Sequence, residues 1–374
     1  MTTAHDVITA LKEHKNVLLY GPPGTGKSHL MNEVARLFGE DENENSATVS
    51  LDTSSEEMPF VEHEEPRAVV RWVTFHQSYA YEDFVIGLRP TLGDKGGFSL
   101  SPRPGLLLEL AAEAISKPAL MVIDEINRGN ASRIFGEFIT LMEPSKRLSL
   151  DGTPTPTSIM LRLPHIEHGE VLSVSTSSGI KNLDRDFGMS ANLYTLASMN
   201  SVDKSTAPLD AALRRRFHIV SIFPSDEAVA SAHNAGHQSE INKLDSVSSR
   251  ADISALVVAL FKRINKGVGV YLGPDFMLGQ WYIPALPDDY TEAKSVLIQS
   301  WLFRIAPQLI EMFHGRYEPL VEILRLKEID GSGIELVQPD AEAEGFGASA
   351  YLMMAENPPT ADQLIEFMRR MAKG

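Results

Sequence analysis

N-V-L-L-Y-G-P-P-G-T-G-K-S, residues 16–28, is the stretch whose reading decides the fold. The apolar run 16–20 stops at a glycine-proline pair, the pattern of a short parallel strand buried on both faces. A helical pattern takes over from 27 to 38. Between them Gly21, Pro22, Pro23, Gly24, Thr25, Gly26, Lys27 and Ser28 fit the spacing GxxxxGK[ST]. The glycines of such a loop let backbone N–H groups converge on phosphate oxygens at the positive end of the helix, Lys27 reaches the outer phosphates, and the Ser28 hydroxyl ligates Mg²⁺. A chance glycine turn has no reason to sit between a buried strand and a helix, so the segment is read as a Walker A loop.

Four further apolar runs, at 69–75, 119–124, 193–199 and 218–223, read as strands, and helical patterns separate most of them. Strands alternating with helices imply a parallel sheet covered on both faces, because each crossover helix returns across the sheet. The first domain, 1–224, is therefore expected to be a doubly wound α/β unit. Two stretches interrupt it. Residues 39–65 are acidic and polar and read as a solvated insertion rather than a docking arm. Residues 148–192 break the alternation, with 158–163 and 170–175 reading as a projecting hairpin. After Pro224 the strands fade, and 253–265, 291–313 and 319–327 carry apolar residues at helical spacing, giving a smaller helical domain over 225–330. A glycine, alanine and proline-rich stretch and a last helix at 361–371 form a C-terminal extension, 331–374, with no assigned role.

With 374 residues and 43 % hydrophobic content the chain has the size and make-up of a soluble protein of two or three domains. Its net charge of −16 argues against its gripping nucleic acid unaided, because phosphate binding rests on lysine and arginine. It contains no cysteine, which excludes disulfides, thiolate metal sites and cysteine nucleophiles. The polar start, 1–16, has no signal-peptide core, and no apolar run approaches the roughly 20 residues that span a bilayer, so a cytoplasmic protein is expected.

The strand at 119–124 ends in Asp124 and Glu125. Beside a Walker A loop, Asp124 is expected to hold the Mg²⁺ shell and Glu125 to orient and polarise an attacking water, rather than merely to cap a turn. Asn200 ends the fourth strand, where its amide reads either as a reach between the γ-phosphate and Glu125 that positions the water or as a strand-end turn. Arg214, Arg215 and Arg216 stand just before the fifth strand. Adjacent residues on a helix point in different directions, so the three cannot share one task. At least one is a candidate to stabilise transition-state charge on a neighbour's nucleotide; surface salt bridging is the plainer alternative.

Several segments together resemble the McrB family, the AAA+ motor of methylcytosine-dependent restriction systems. Residues 75–84 (FHQSYAYEDF), with Gly87, Arg89 and Pro90, are similar to that family's FHQSYSYEDF…G.RP segment. Residues 124–128 (DEINR), with Phe135, Gly136, Glu137 and 141–143 (LME), match its DEINR…FGE…LME pattern. Residues 199–205 (MNSVDKS) resemble its signature MNTADRS, and Asp210 with 212–217 (ALRRRF) matches D.ALRRRF. The resemblance covers about 16–224. It implies an AAA+ P-loop NTPase fold, a doubly wound parallel sheet with a smaller C-terminal helical lid domain. It also implies a homo-oligomeric, hexameric ring hydrolysing at subunit interfaces and stimulated by a separate McrC-like partner that carries a nuclease, with DNA met indirectly through other chains. By the same resemblance Asn200 and Asp203 acquire catalytic roles, and Arg215 and Arg216 become the finger candidates.

The sequence departs from the pattern at Ser201, Val202 and Lys204, which stand where the family has Thr, Ala and Arg. The Walker A loop begins at Gly21, so the family's N-terminal reader of modified DNA is not expected ahead of it and target recognition would then belong to another chain. Residues 273–282 (GPDFMLGQWY) match the family's GxxFxIGHSYF loosely and lack the arginine that many AAA+ lids direct at the phosphates. There Gln280 is placed to approach the nucleotide, and Trp281 and Tyr282 are read as core. The leading expectation is the motor of a restriction or anti-phage defence complex. A MoxR-like chaperone remodelling a protein client is the alternative, and a nucleotide-set scaffold without turnover is disfavoured by Glu125 and Asn200. The motifs read phosphates and not bases, so both ATP and GTP stand.

Overall fold

The computed structural model describes residues 2–38, 68–92, 98–150, 152–202, 209–235, 246–338 and 350–373. The acidic stretch 39–65 lies outside these residues.

The first helix, α1 (Ala4–His14), starts where the Thr3 hydroxyl accepts from the Asp6 N–H at 3.2 Å and the Asp6 carboxylate accepts from the Thr3 N–H at 2.8 Å, a reciprocal cap that satisfies two of the helix's orphan donors. The sheet strands are β1 (Asn16–Gly21), β2 (Val69–Thr74), β3 (Ala119–Asp124), β4 (Leu193–Asn200) and β5 (His218–Ser221). They form one five-stranded sheet in the order β5-β1-β4-β3-β2. Every pairing in it is parallel, with Val17 opposite Leu196 on one side and His218 on the other. The doubly wound α/β expectation holds.

Burial on both faces follows from the period of two along each strand. Leu19, Leu120, Val122 and Leu196 pack with Val7 and Leu11 of α1 and with Met31 and Val34 of α2 (Lys27–Leu37). Leu18, Met121, Ile123 and Ala197 point the other way, into a cluster with Phe75, Phe84, Leu108 and Phe135.

The second core is helical. Its axis is α3 (Arg250–Tyr271), capped by Ser249 and Asp252, against which α4 (Tyr290–Ser300) packs. Here the single helix expected over 291–313 is interrupted by a π turn at Trp301–Ile305 before it resumes at Ala306–Met312. Pro307 supplies a reason, since it lacks an N–H and its ring crowds the carbonyl four residues back. The segment read as an extension enters the same core: α5 (Ala361–Lys373) buries Leu364, Phe367, Met368 and Met371 there, and the Phe367 ring lies 5.6 Å from that of Trp301.

Two details of the first domain differ from the sequence reading. The hairpin expected between 158–163 and 170–175 is paired otherwise: Val171–Thr176 pairs with Gly179–Asp184 across a tight turn at Ser177 and Ser178, while Leu161–Arg162 pairs with Asp186–Phe187. The shorter connection closes the ladder at lower entropic cost. A second hairpin, Ile86–Leu92 with Phe98–Pro104, stands between β2 and β3, where the sequence reading placed none. Among the described residues no helix is long and apolar enough to cross a membrane.

Phe367→Ala should cost the helical unit about 3–5 kcal/mol, the usual price of emptying a buried aromatic site. Urea unfolding followed by circular dichroism measures this, and a loss below about 1 kcal/mol would place α5 outside the core.

Candidate active site

The carboxyl ends of β1, β4 and β3 meet at a cleft of about 520 Å³. Pro23, Gly24, Gly26, Lys27, Ser28, Asp124, Glu125 and Asn200 all line it. The turn into α2 needs Gly26, whose φ of 91° lies in the left-handed region that side chains avoid. Lys27 is 6 % exposed, and its ammonium donates to Gly21 O at 2.9 Å and Pro22 O at 2.8 Å. The Thr25 hydroxyl donates to Pro22 O at 3.0 Å and braces the loop from within.

The acid pair is set by strand register. Ala197 pairs with Ile123, so the next residues, Ser198 and Asp124, stand side by side. The Ser198 hydroxyl donates to Asp124 Oδ1 and accepts from the Glu125 N–H at 3.0 Å. Glu125 has φ 55°, a left-handed conformation uncommon for a side chain of its size, and the chain there leaves the strand for a short 3₁₀ turn. Its carboxylate accepts from Asn200 Nδ2 at 2.5 Å and lies 3.6 Å from Arg128 Nη2. The Asn200 amide, at the end of β4, thus meets the Glu125 carboxylate. Ser198 and Arg128 were not singled out from sequence. Ser198 was legible only through the register of β4 on β3, whereas Arg128 already stood in the quoted DEINR motif.

Hydroxyl, carboxylate, ammonium and amide thus converge in one cleft. Ser28 and Asp124 are hard oxygen donors of the kind Mg²⁺ takes alongside phosphate oxygens, so the donor set fits a magnesium nucleotide. Asp203, Lys204 and Ser205 lie outside the described residues.

The arginines sit elsewhere. Because β1 and β5 are parallel with Val17 opposite His218, residues just before His218 lie at the amino edge of the sheet. The Walker A loop leaves the opposite edge, roughly 16 Å away along five residue steps of strand. The three cations divide as their directions require. The Arg214 guanidinium lies 5.7 Å from the Tyr20 ring centre. Arg216 has a side chain 10 % exposed, donates to Ala212 O, and lies 3.9 Å from Glu143. Arg215 is exposed and borders an open cavity with Glu13, His14 and His218.

The helical domain reaches back onto the Walker A loop. A Cβ on Gly279 would meet the Gly24 carbonyl carbon at 2.1 Å, so only glycine permits this approach. Next to it the Trp281 N–H donates to Gly24 O at 2.9 Å and the Gln280 amide donates to Thr25 O at 2.8 Å. Gln280 therefore contacts the loop that would hold the nucleotide. The expectation of Trp281 as core is overturned: it is 40 % exposed and forms a wall of the cleft, because the close glycine packing turns its ring outward beside Gly26. Tyr282 is partly buried against the helical core, with its ring over Gly24. Behind this joint lies buried His233, whose Nε2 is 3.2 Å from Gln280 O. Burial lowers its pKa below the ordinary 6.5.

Comparison with known proteins places these features. The family described as "AAA domain (dynein-related subfamily)" matches residues 16–217. The chain is similar to the Type IV methyl-directed restriction enzyme EcoKMcrB subunit of Escherichia coli (strain K12), at 29 % identity over 316 residues, 83 % of this chain and 57 % of that protein. It is also similar to the Type II restriction enzyme BsuMI component YdiS of Bacillus subtilis (strain 168), at 25 % identity over 228 residues, 54 % of this chain and 55 % of that one. The chain thus spans little more than half the length of the curated relatives it matches.

The joint has a pH consequence. A folded-state imidazole with lowered pKa means the unfolded chain takes up a proton first as the pH falls, so this contribution is present above the ordinary 6.5 and is lost below it. Urea midpoints measured at pH 7.5 and 5.5 should fall further for the wild type than for His233→Gln. Equal falls would remove His233 from the linkage.

Proposed function

The chain belongs to the AAA domain family, dynein-related subfamily, as an McrB-like AAA+ chain of NTPase type, and on that footing we propose that it hydrolyses a magnesium nucleoside triphosphate, ATP or GTP, as the motor of a restriction or anti-phage defence complex. The observation that carries the reading is the Asn200–Glu125 hydrogen bond at the mouth of a cleft that also holds Lys27, Ser28 and Asp124.

In this mechanism the loop N–H groups of 21–28 and the Lys27 ammonium bind the phosphates. Ser28 and Asp124 would hold Mg²⁺, which would supply charge neutralisation at the phosphates. Asn200 fixes the Glu125 carboxylate, and Glu125 orients and polarises the attacking water. Asp203 is assigned a part in the same step by its place in the 199–205 motif. Arg128, 3.6 Å from Glu125, helps hold that carboxylate in place.

The arginine edge completes the reaction in another subunit. Arg215 and Arg216 border a cavity with Glu13, His14 and His218 and neither lines the cleft of its own chain, so a catalytic arginine from this pair acts on a neighbour's nucleotide. Of the two candidates Arg215 takes that role, because Arg216 is tethered within its own chain. A homo-oligomeric ring, hexameric as in the resemblance, follows as the assembly, in the cytoplasm, with an McrC-like nuclease as partner and with DNA met through other chains. Both named relatives are restriction components, which favours this reading over a client-remodelling chaperone.

Glu125→Gln should retain nucleotide and lose turnover by about 10²-fold or more, as expected for removal of a general base. Phosphate release at the wild-type rate would move the base elsewhere. Lys27→Ala should lose nucleotide binding in calorimetry, and unchanged affinity would refute the phosphate assignment. Parallel hydrolysis assays with ATP and with GTP identify the base that the cleft accepts.

Mixing resolves the arginines. Glu125→Gln subunits combined with Arg215→Ala subunits should recover turnover that neither shows alone, whereas Arg216→Ala should behave chiefly as a stability variant. Recovery with Arg216→Ala and not with Arg215→Ala would reverse the assignment.

A further inference from the structure

A second buried polar cluster lies at the amino edge of the sheet, away from the cleft. Asn16, the first residue of β1, is fully buried, and Arg147 is 2 % exposed. Arg147 donates from Nε to Leu141 O at 2.8 Å, from Nη1 to Leu193 O at 2.5 Å, and from Nη2 to Asn16 Oδ1 at 2.8 Å and Met142 O at 3.4 Å. Asn16 in turn donates from Nδ2 to Met142 O at 2.5 Å and to Arg216 O at 3.0 Å.

A guanidinium buried among neutral oxygens is an expensive choice for a core, since a well-packed apolar side chain would fill the space at lower electrostatic cost. Burial pulls the Arg147 pKa down to about 10, which still leaves it charged near neutral pH. Partial compensation comes from where it points: Leu141 and Met142 close the 3₁₀ stretch Gly136–Met142, and the carbonyl end of such a stretch carries negative partial charge.

What the cluster holds in place is specific. The Asn16 amide spends one of its two N–H bonds on the backbone carbonyl of Arg216, the residue after the proposed finger. Glu143, which directly follows the Met142 carbonyl bound by both cluster residues, lies near the Arg216 guanidinium. Backbone and side chain of Arg216 are thereby fixed from one point, and with them the direction in which Arg215 leaves the molecule.

We propose that Asn16 and Arg147 are positioning residues that aim the Arg215 side chain at the nucleotide of the neighbouring subunit. The proposal rests on the trans-acting arginine described above. It assigns the cluster to the subunit that donates the arginine and not to the one whose nucleotide is cleaved.

Mixed assemblies separate the two. Donor subunits carry Glu125→Gln, which removes their own turnover and leaves their arginines intact. Acceptor subunits carry Arg215→Ala, which leaves their own cleft intact. Asn16→Asp keeps an oxygen acceptor for Arg147 and loses the N–H bonds to both Met142 O and Arg216 O, so it frees the carbonyl beside the finger while Arg147 keeps its bonds to Leu141 O and Leu193 O. Placed in the donor, it should lower the turnover of the mixture about tenfold or more; placed in the acceptor, it should change turnover less than twofold. Arg147→Lys keeps the charge without the forked geometry and should show the same asymmetry, with a smaller loss.

Equal losses in both placements would mean that the cluster supports the fold or its own cleft, and would overturn the proposal. No loss in either placement would overturn it as well. If the mixture shows no turnover before either substitution is added, the trans-acting arginine itself fails, a result distinct from failure of the cluster's role.

Discussion

The structure depends on one constraint: β1, β4 and β3 are adjacent and parallel, so their carboxyl ends finish at a common edge. Each strand delivers a different chemical group there. The first delivers the phosphate loop with Lys27 and Ser28, the third Asp124 and Glu125, and the fourth Asn200. Inserting β4 between β1 and β3 opens the crevice that α/β sheets use for ligands at a reversal of strand order. The same register sets finer detail, since the Ser198 hydroxyl meets Asp124 only because Ala197 pairs with Ile123.

The helical domain is tied to this edge by main chain as much as by side chains. Gly279 against Gly24 is a contact that no other residue allows, and the Trp281 N–H bond to Gly24 O follows from it. A displacement of the phosphate loop by a few tenths of an ångström would therefore be felt by residues 279–282 directly.

Much of the fold was legible because buried parallel strands must be continuous apolar runs, and all five strands were read from such runs. The cleft was legible for a related reason: phosphate chemistry confines its residues to short motifs at strand ends. Contacts between distant segments were not legible. Trp281 reads as core from sequence because large aromatics usually are, and only the close approach of Gly279 turns it onto the cleft wall. The hairpin of Ile86–Leu92 and Phe98–Pro104 was missed although Ile86, Leu88, Pro90 and Leu92 alternate with polar or small residues. Its prolines argue against a central strand, but a two-stranded ribbon has free edges on both sides where a missing N–H costs little. The role of α5 was hidden because its apolar face reads the same whichever core receives it.

The arginine run shows how topology distributes like charges in an acidic chain. Three adjacent guanidiniums on one surface would repel one another, and the fold separates them. One faces the Tyr20 ring, one is tethered by Ala212 O beside Glu143, and the middle one is left to solvent. The middle one stands at the edge of the sheet that its own nucleotide loop leaves from the far side. On this reading each chain carries parts of two sites, a cleft at one edge and a charge for a different cleft at the other. On the proposed assembly each edge is completed by a second copy, and Asn16 bears on both, since it starts the strand that ends in the phosphate loop and holds the carbonyl beside the exposed arginine.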